Sequence, residues 1–488
     1  MKSARRLIGN VSWMALAIAL ILALVACGDT ANDAPQSAQA SPPPSAASEQ
    51  VPTPTIAPTL TAVVAPSTIT TPTATAAAQG TSGTSTGATA TVDANADAER
   101  LSETAMPLLT QFVADYSPRQ SGTAGELAAA EFIRAYMEDL GYEAKLQPLE
   151  VEHIPWDEPF VTLAGEGRPD FFSIPLANTG YGDVTAPIVH VGRAFEEDLP
   201  DEGLEGVIAL VERGEITFEE KVNRVADAGA VAAIIYNNER QNFRGALQSD
   251  GRIPAVSLPR EQGRELLRLL DDEPGLQARV KVEPVMLDSQ NVIAELNDQP
   301  ADCGVVVLGG HYDSVANTQA AGDNGTGVVS LLLMAGELAR ANDGEEPLPY
   351  AVRFLFFGVE EIGIYGSEHY VDALDEADKA EIIAMLNFDA MGQGDATVQG
   401  SAQLADIATS VATAAGISLN RVQATRGFGS DHTPFINAGI PALFFFGNDF
   451  SIINSPDDVL EEVDPSIMGA HMVVALEMLQ EFECKPQE

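Results

Sequence analysis

The chain has 488 residues, 26 of them basic and 71 acidic, for a formal net charge of −45 with His neutral. So negative a surface repels phosphate backbones and anionic headgroups, which argues against nucleic acid as a partner. The same charge suits solubility and weakly favours cationic substrates such as free peptide amines.

Residues 1–27 read as a signal segment. Lys2, Arg5 and Arg6 form a positive start, and an apolar run over 11–25 follows. The run is short for a membrane span and closes on small residues, as a cleaved secretory signal does. Its end, Leu24-Val25-Ala26-Cys27-Gly28, resembles the bacterial lipobox, which implies that Cys27 becomes a lipidated first residue. The alternatives are ordinary cleavage near Ala26 and a retained anchor. Several acyl chains on Cys27 hold firmly, at about 0.8 kcal/mol per buried methylene. The expected location is outside the cytoplasm, as a cell-membrane lipoprotein.

Residues 28–98 are Ala, Thr, Pro and Ser with few aromatics and no helical or strand period, the composition of a disordered tether. Helical spacing then appears in Leu101, Ala105, Leu108, Leu109 and Phe112, and again over 127–140 until Gly141 ends it. A strand follows over 142–151.

Between 160 and 285 the texture changes to short apolar strands (188–192, 206–211, 230–236 and 253–258), many Gly and Pro, and one clear helix at 219–229. This block, above all 206–238 and 253–267, resembles the protease-associated domain, a module inserted into secreted peptidases and thought to cover or filter the active site. The flanking parts, 99–159 and 286–488, then form one split domain.

From Asn291 strands and helices alternate. Strands are expected at 305–308, 352–357, 384–388 and 442–446, with helices at 327–339 and 465–482. That rhythm predicts a mainly parallel, mixed sheet in an α/β/α sandwich. Polar clusters stand just beyond the strand ends, where open α/β sheets place their ligands. They are His311-Tyr312-Asp313-Ser314, Gly322-Asp323-Asn324-Gly325-Thr326-Gly327, Glu360-Glu361, and Asn387-Phe388-Asp389. One imidazole with several carboxylates is a donor set for a borderline divalent metal.

In this order the four clusters resemble the co-catalytic zinc aminopeptidases, metallopeptidase family 28, over nearly all of 291–483. The resemblance implies a zinc-exopeptidase fold and two Zn²⁺ ions. His311 and Asp389 would hold one ion, Asp323 would bridge, and Glu361 would hold the other. Glu360 is the implied general base. Asp313 is implied to accept the second ring N–H of His311. The remaining ligand of the family is a His, and here Asn454 stands in its place, within Ile453-Asn454-Ser455-Pro456. An amide oxygen binds zinc more weakly than imidazole, so two ions with a weak second site, a single ion and an inactive site all stay open. Asp431 and His432, in Ser430-Asp431-His432-Thr433, match a stretch of the family's substrate-pocket wall.

The implied activity is hydrolysis of N-terminal peptide bonds in peptides or proteins with a free N-terminus, at an enzyme lipid-anchored to the membrane. Two alternatives are a lipid-anchored peptide-binding protein with a degenerate metal site and a glutaminyl-cyclase-like acyltransferase on the same fold. Of the three Cys, Cys303 and Cys484 remain beside Cys27. In an oxidising compartment they are a candidate disulfide, two free buried thiols being the alternative.

Overall fold

The structure, a computed structural model, describes residues 94–155, 159–165, 167–169, 171–296, 303–342, 348–423 and 429–484. The signal segment, Cys27 and the linker up to residue 93 lie outside the described residues.

Two helices come first, α1 (Ala94–Tyr116) and α2 (Ala124–Asp139). The helix α1 begins inside the stretch read as tether. Asp97 in its first turn pairs with Arg100 at 3.2 Å, and an acidic side chain there complements the helix dipole. Leu101, Ala105, Leu109 and Phe112 form its buried stripe.

Strand β1 (Tyr142–His153) leads out to the insert. The insert comprises β2 (Val161–Leu163), β3 (Ile174–Pro175), β4 (Gly182–His190), β5 (Ile208–Glu212), α3 (Phe218–Asp227), β6 (Ala232–Tyr236), β7 (Ala255–Leu258), α4 (Arg260–Asp272) and β8 (Gln277–Val282). Its seven strands form one sheet in the order β2-β8-β4-β5-β6-β7-β3. The second helix, α4, was not predicted, although its sequence is amphipathic: Leu266 is buried, and Leu267, Leu269 and Leu270 pack partly buried against the same core. Gly263 lies so close to Tyr236 that a Cβ would sit 2.1 Å from the tyrosine Cβ, which only glycine tolerates.

The chain returns along β9 (Val285–Leu296), which pairs antiparallel with β1 from Tyr142↔Leu296 to His153↔Val285. This twelve-residue ribbon explains how one domain accommodates an insertion, since departure and return share one set of ladder bonds. Then come β10 (Val305–His311), α5 (Thr326–Asn342), β11 (Ala351–Phe357), α6 (Tyr365–Asp372), α7 (Glu376–Glu381), β12 (Ile382–Phe388), β13 (Ala396–Gly400), α8 (Ala402–Ala415), β14 (Asn420–Arg421), α9 (His432–Asn437), β15 (Ala442–Gly447) and α10 (Pro465–Glu481).

The main sheet has the order β1-β9-β11-β10-β12-β15-β13-β14, with β11, β10, β12 and β15 parallel at its centre. Alternate residues of these strands feed two cores. Val306, Leu308, Phe354, Phe356 and Leu386 pack with α1, α2, α5, α8 and α10. Val305, Val307, Leu355, Phe357 and Met385 pack with Tyr370, Val371 and Phe435 of α6 and α9. A sheet buried on both faces needs apolar residues at nearly every position, hence the continuous apolar runs. Cys303 and Cys484 are joined by a disulfide that ties the entrance of β10 to the end of α10.

Candidate metal centre

Because β10, β11 and β12 run parallel, their C-terminal ends come together. His311 is the last residue of β10, opposite Phe357, the last of β11. Glu360 and Glu361 follow β11 at once, and Asp389 follows β12. The loops leave the strands through left-handed residues: Val359 (φ 58°), Ile364 (φ 64°), Ala390 (φ 50°) and, ahead of the Asp323 turn, Ala320 (φ 50°). Such conformations cost about 1–3 kcal/mol each and persist only where surrounding contacts over-determine them.

His311, Asp323 and Asp389 are buried and converge, each offering a ligand atom within 4.8 Å of the others. His311 Nε2 lies 3.1 Å from Asp389 Oδ1 and 3.2 Å from Asp323 Oδ1. On the other side of the ring, Nδ1 is 3.2 Å from the carbonyl oxygen of Asp313 and 3.5 Å from its carboxylate. The backbone carbonyl and the carboxylate of Asp313 thus both face this ring nitrogen, which the resemblance pairs with the carboxylate. The Asp313 carboxylate also accepts from Ser121 Oγ (2.6 Å), Glu360 N (3.0 Å) and Glu361 N (3.3 Å). It positions the loop that carries both glutamates.

Four further residues hold the centre, and the sequence motifs did not assign them roles. Asn324 donates Nδ2 to the carbonyls of His311 (3.1 Å) and Phe388 (2.9 Å), stitching two ligand-bearing strand ends together. Asp458 accepts the N–H groups of Gly322 (2.7 Å) and Asp323 (3.0 Å). Glu126 of α2 accepts from Ser289 Oγ (2.7 Å) and Gly122 N (2.6 Å). Burial, with the charge of Asp313, raises Glu126 to about 8. Arg119 lies fully buried beside the same loops. Gly327 is forced, since a Cβ there would lie 2.3 Å from both Asn324 Oδ1 and Phe388 O. Asn324 and Gly327 belong to the Gly-Asp-Asn-Gly-Thr-Gly cluster itself, whereas Arg119, Glu126 and Asp458 come from distant parts of the chain.

The electrostatics follow from many carboxylates in little space. Burial, then the charge of Asp389, raises Asp323 to about 7. Burial drives Glu360 and Glu361 well above the usual carboxylate range, with Asp431 adding to the first and Asp323 to the second. Asp389 goes the other way: burial opposes ionisation, but the charge of His311 and hydrogen bonds hold it low. Burial would lower His311, yet Asp389 foremost, then Glu360, raise it well above its ordinary value. Glu361 Oε1 is buried without a hydrogen-bond partner, and Asp323 Oδ1 is buried with only the ring of His311 beside it. Buried anionic oxygens without donors are costly unless a cation meets them. One imidazole nitrogen and several carboxylate oxygens, one of them orphaned, fit a divalent ion of the zinc class.

Asn454 is exposed and left-handed (φ 57°), on the loop that Asp458 anchors to the Asp323 turn. Asp431 is fully buried at the start of α9, with neither carboxylate oxygen hydrogen-bonded, and burial raises it to about 7. His432 stacks on Phe444 at 4.9 Å and is lowered by burial to about 4, so its ring is neutral. Among the described residues, no helix is long and apolar enough to cross a membrane.

Comparison with known proteins agrees with this geometry. The model of peptidase family M28 matches residues 291–479, and that of the PA domain matches 184–266. Aminopeptidase YwaD of Bacillus subtilis is 30% identical over 384 residues, covering 74% of this chain and 80% of that protein. A probable lipoprotein aminopeptidase, LpqL of Mycobacterium tuberculosis, is 30% identical over 286 residues, 56% of this chain and 54% of LpqL, so the chain spans about half of that relative. Among solved structures, BSAP, a zinc aminopeptidase from Bacillus subtilis, superposes with a TM-score of 0.57 at 26% identity, covering 81% of this chain and 95% of that one. With its ligand-type residues gathered at parallel strand ends and a PA domain inserted in the middle, the chain belongs to peptidase family M28.

Proposed function

We propose that this protein is a zinc aminopeptidase that removes N-terminal residues from peptides outside the cytoplasm, held to the membrane by lipid on Cys27. The observation that carries the catalytic part is the meeting of His311 Nε2 with Asp389 and Asp323 at 3.1 and 3.2 Å, beside Glu360 and Glu361. His311, Asp323, Asp389 and Glu361 would hold zinc, and Asn454 makes the position shared by Asp323 and Glu361 the weaker of two. Zinc, when bound there, polarises a carbonyl and lowers the pKa of water to about 7.

Glu360 accepts a proton from the attacking water and returns it to the leaving amine, so that water adds across the peptide C–N bond. Burial holds this carboxyl well above the ordinary carboxylate range. Asp313 fixes the loop through the N–H groups of Glu360 and Glu361. Asp431, buried with unpartnered oxygens close enough to raise Glu360, supplies negative charge for the ammonium of the substrate's first residue.

The test combines metal analysis with hydrolysis of aminoacyl-nitroanilides. Zinc in the purified protein, turnover abolished by chelator and restored by zinc, is the expected result. A protein with neither zinc nor turnover would instead be a peptide-binding relative. Pyroglutamate formation from an N-terminal glutamine peptide would point to acyl transfer. For the anchor, palmitate labelling lost in Cys27→Ser supports lipidation, and unlabelled wild-type protein rules it out. The kinship with LpqL supports this part of the reading.

A further inference from the structure

Arg119 is fully buried, and among the described residues it forms no ion pair. Its guanidinium is spent on uncharged oxygens. Nε donates to the carbonyl of Tyr312 (2.7 Å), Nη2 to the carbonyl of Ala320 (3.0 Å) and Nη1 to Ser117 Oγ (2.9 Å). Its Cζ rests 4.8 Å above the ring of Phe112. Its own backbone is locked to Ser314 in both directions, N to Ser314 Oγ at 3.0 Å and Ser314 N to its carbonyl at 3.1 Å.

The two carbonyls are the informative contacts. Tyr312 stands between His311 and Asp313, and Ala320 is the left-handed residue that starts the turn into Asp323. A planar, rigid fork that grips both fixes the separation of the backbone segments carrying His311 and Asp323. The charges acting most strongly on it are all carboxylates of the centre or its clamp: Asp313, Asp458, Asp323 and Glu361. A permanent cation behind the ligand loops therefore also offsets the repulsion among those groups while they are ionised. A structural arginine would more commonly be paired, because leaving its charge unmatched in the interior is costly.

We propose that Arg119 is a positioning residue of the centre, setting the spacing of His311 and Asp323 through the carbonyls of Tyr312 and Ala320. This rests on reading the centre as a zinc site. Lysine supplies the charge but reaches one carbonyl, not both, and methionine keeps the stem on Phe112 and supplies neither.

The experiment measures zinc affinity by chelator competition in Arg119→Lys and Arg119→Met, with thermal unfolding of the metal-free proteins alongside. Both variants should bind zinc about 10- to 100-fold more weakly, the range for groups that orient ligands, with Met weaker than Lys. The visible spectrum of the cobalt(II)-substituted Lys variant should differ from wild type, which general destabilisation alone does not produce. Folded variants with wild-type zinc affinity and an unchanged cobalt spectrum overturn the proposal and leave the metal reading standing. Wild-type protein that binds no zinc sinks the metal reading and this role together. If neither variant folds, Ser117→Ala decides, with Ser117→Thr as the control that keeps the hydroxyl, because this hydroxyl steadies Nη1 and also donates to the carbonyl of Gln319 beside Ala320. The alanine variant should weaken zinc about fivefold, equivalent to one neutral hydrogen bond, and unchanged affinity there counts against Arg119 equally.

Discussion

The carboxylate of Asp458 takes the backbone N–H of Asp323 at 3.0 Å and that of Gly322 at 2.7 Å, so the loop bearing Asn454 is bolted to the turn bearing Asp323. Asp458→Asn turns an amide N–H₂ toward one of those donors and leaves a buried N–H without an acceptor. Zinc affinity should fall about 10- to 100-fold, with a stability loss of about 1–3 kcal/mol. Chelator competition and denaturant unfolding measure the two effects. Unchanged zinc affinity would show that the Asp323 turn holds its shape unaided.

Glu360→Gln preserves size and leaves the backbone N–H on Asp313 while removing the proton acceptor. The expected outcome is zinc content equal to wild type and kcat lower by a factor of about 10² to 10⁴. Full activity in this variant would remove Glu360 as the base.

Asn454→His restores an imidazole at a loop position already tethered by Asp458. Zinc titration should resolve a second ion bound more tightly than in wild type, with a higher kcat. A variant with unaltered stoichiometry and rate would mean that the exposed, left-handed backbone at 454 holds the side chain away from the centre.

His471 gives a pH prediction away from the metal. It is fully buried in α10, accepts from Thr397 N at 3.2 Å, and is lowered by burial to about 3. Its folded value lies below its unfolded value. Between pH 6.5 and 3 the unfolded chain therefore binds a proton that the folded chain refuses, and stability falls as pH falls. The slope is at most about 1.4 kcal/mol per pH unit. His471→Gln offers Thr397 an acceptor that does not titrate. Relative to wild type it should gain about 2 kcal/mol on going from pH 7 to pH 5. Denaturant curves at the two pH values measure this, and a constant difference would clear His471 of any part in acid sensitivity.

Much of the molecule was legible because its signals are local. Continuous apolar runs announced β10, β11, β12 and β15, since strands covered on both faces have no polar side to show. The clusters containing His311, Asp323, Glu361 and Asp389 were legible because a parallel sheet gathers whatever follows its strand ends. The start of α1 was obscured by an alanine-rich approach, whereas α4 was missed although Leu266, Leu267, Leu269 and Leu270 recur at helical spacing.

What the sequence alone determined is the mixed α/β architecture with a PA domain in its middle, and which ligand-type residues follow the strand ends. What only the tertiary structure decided is how they are held: Asn324 across two strand ends, Asp458 on the Asp323 turn, Asp313 on the glutamate loop, and Arg119 on the carbonyls of Tyr312 and Ala320. The physical reason is that hydrophobic periodicity records which face of an element is buried. A hydrogen bond to a backbone group nearly 200 residues away depends on where two loops come to rest, and that leaves no period to read.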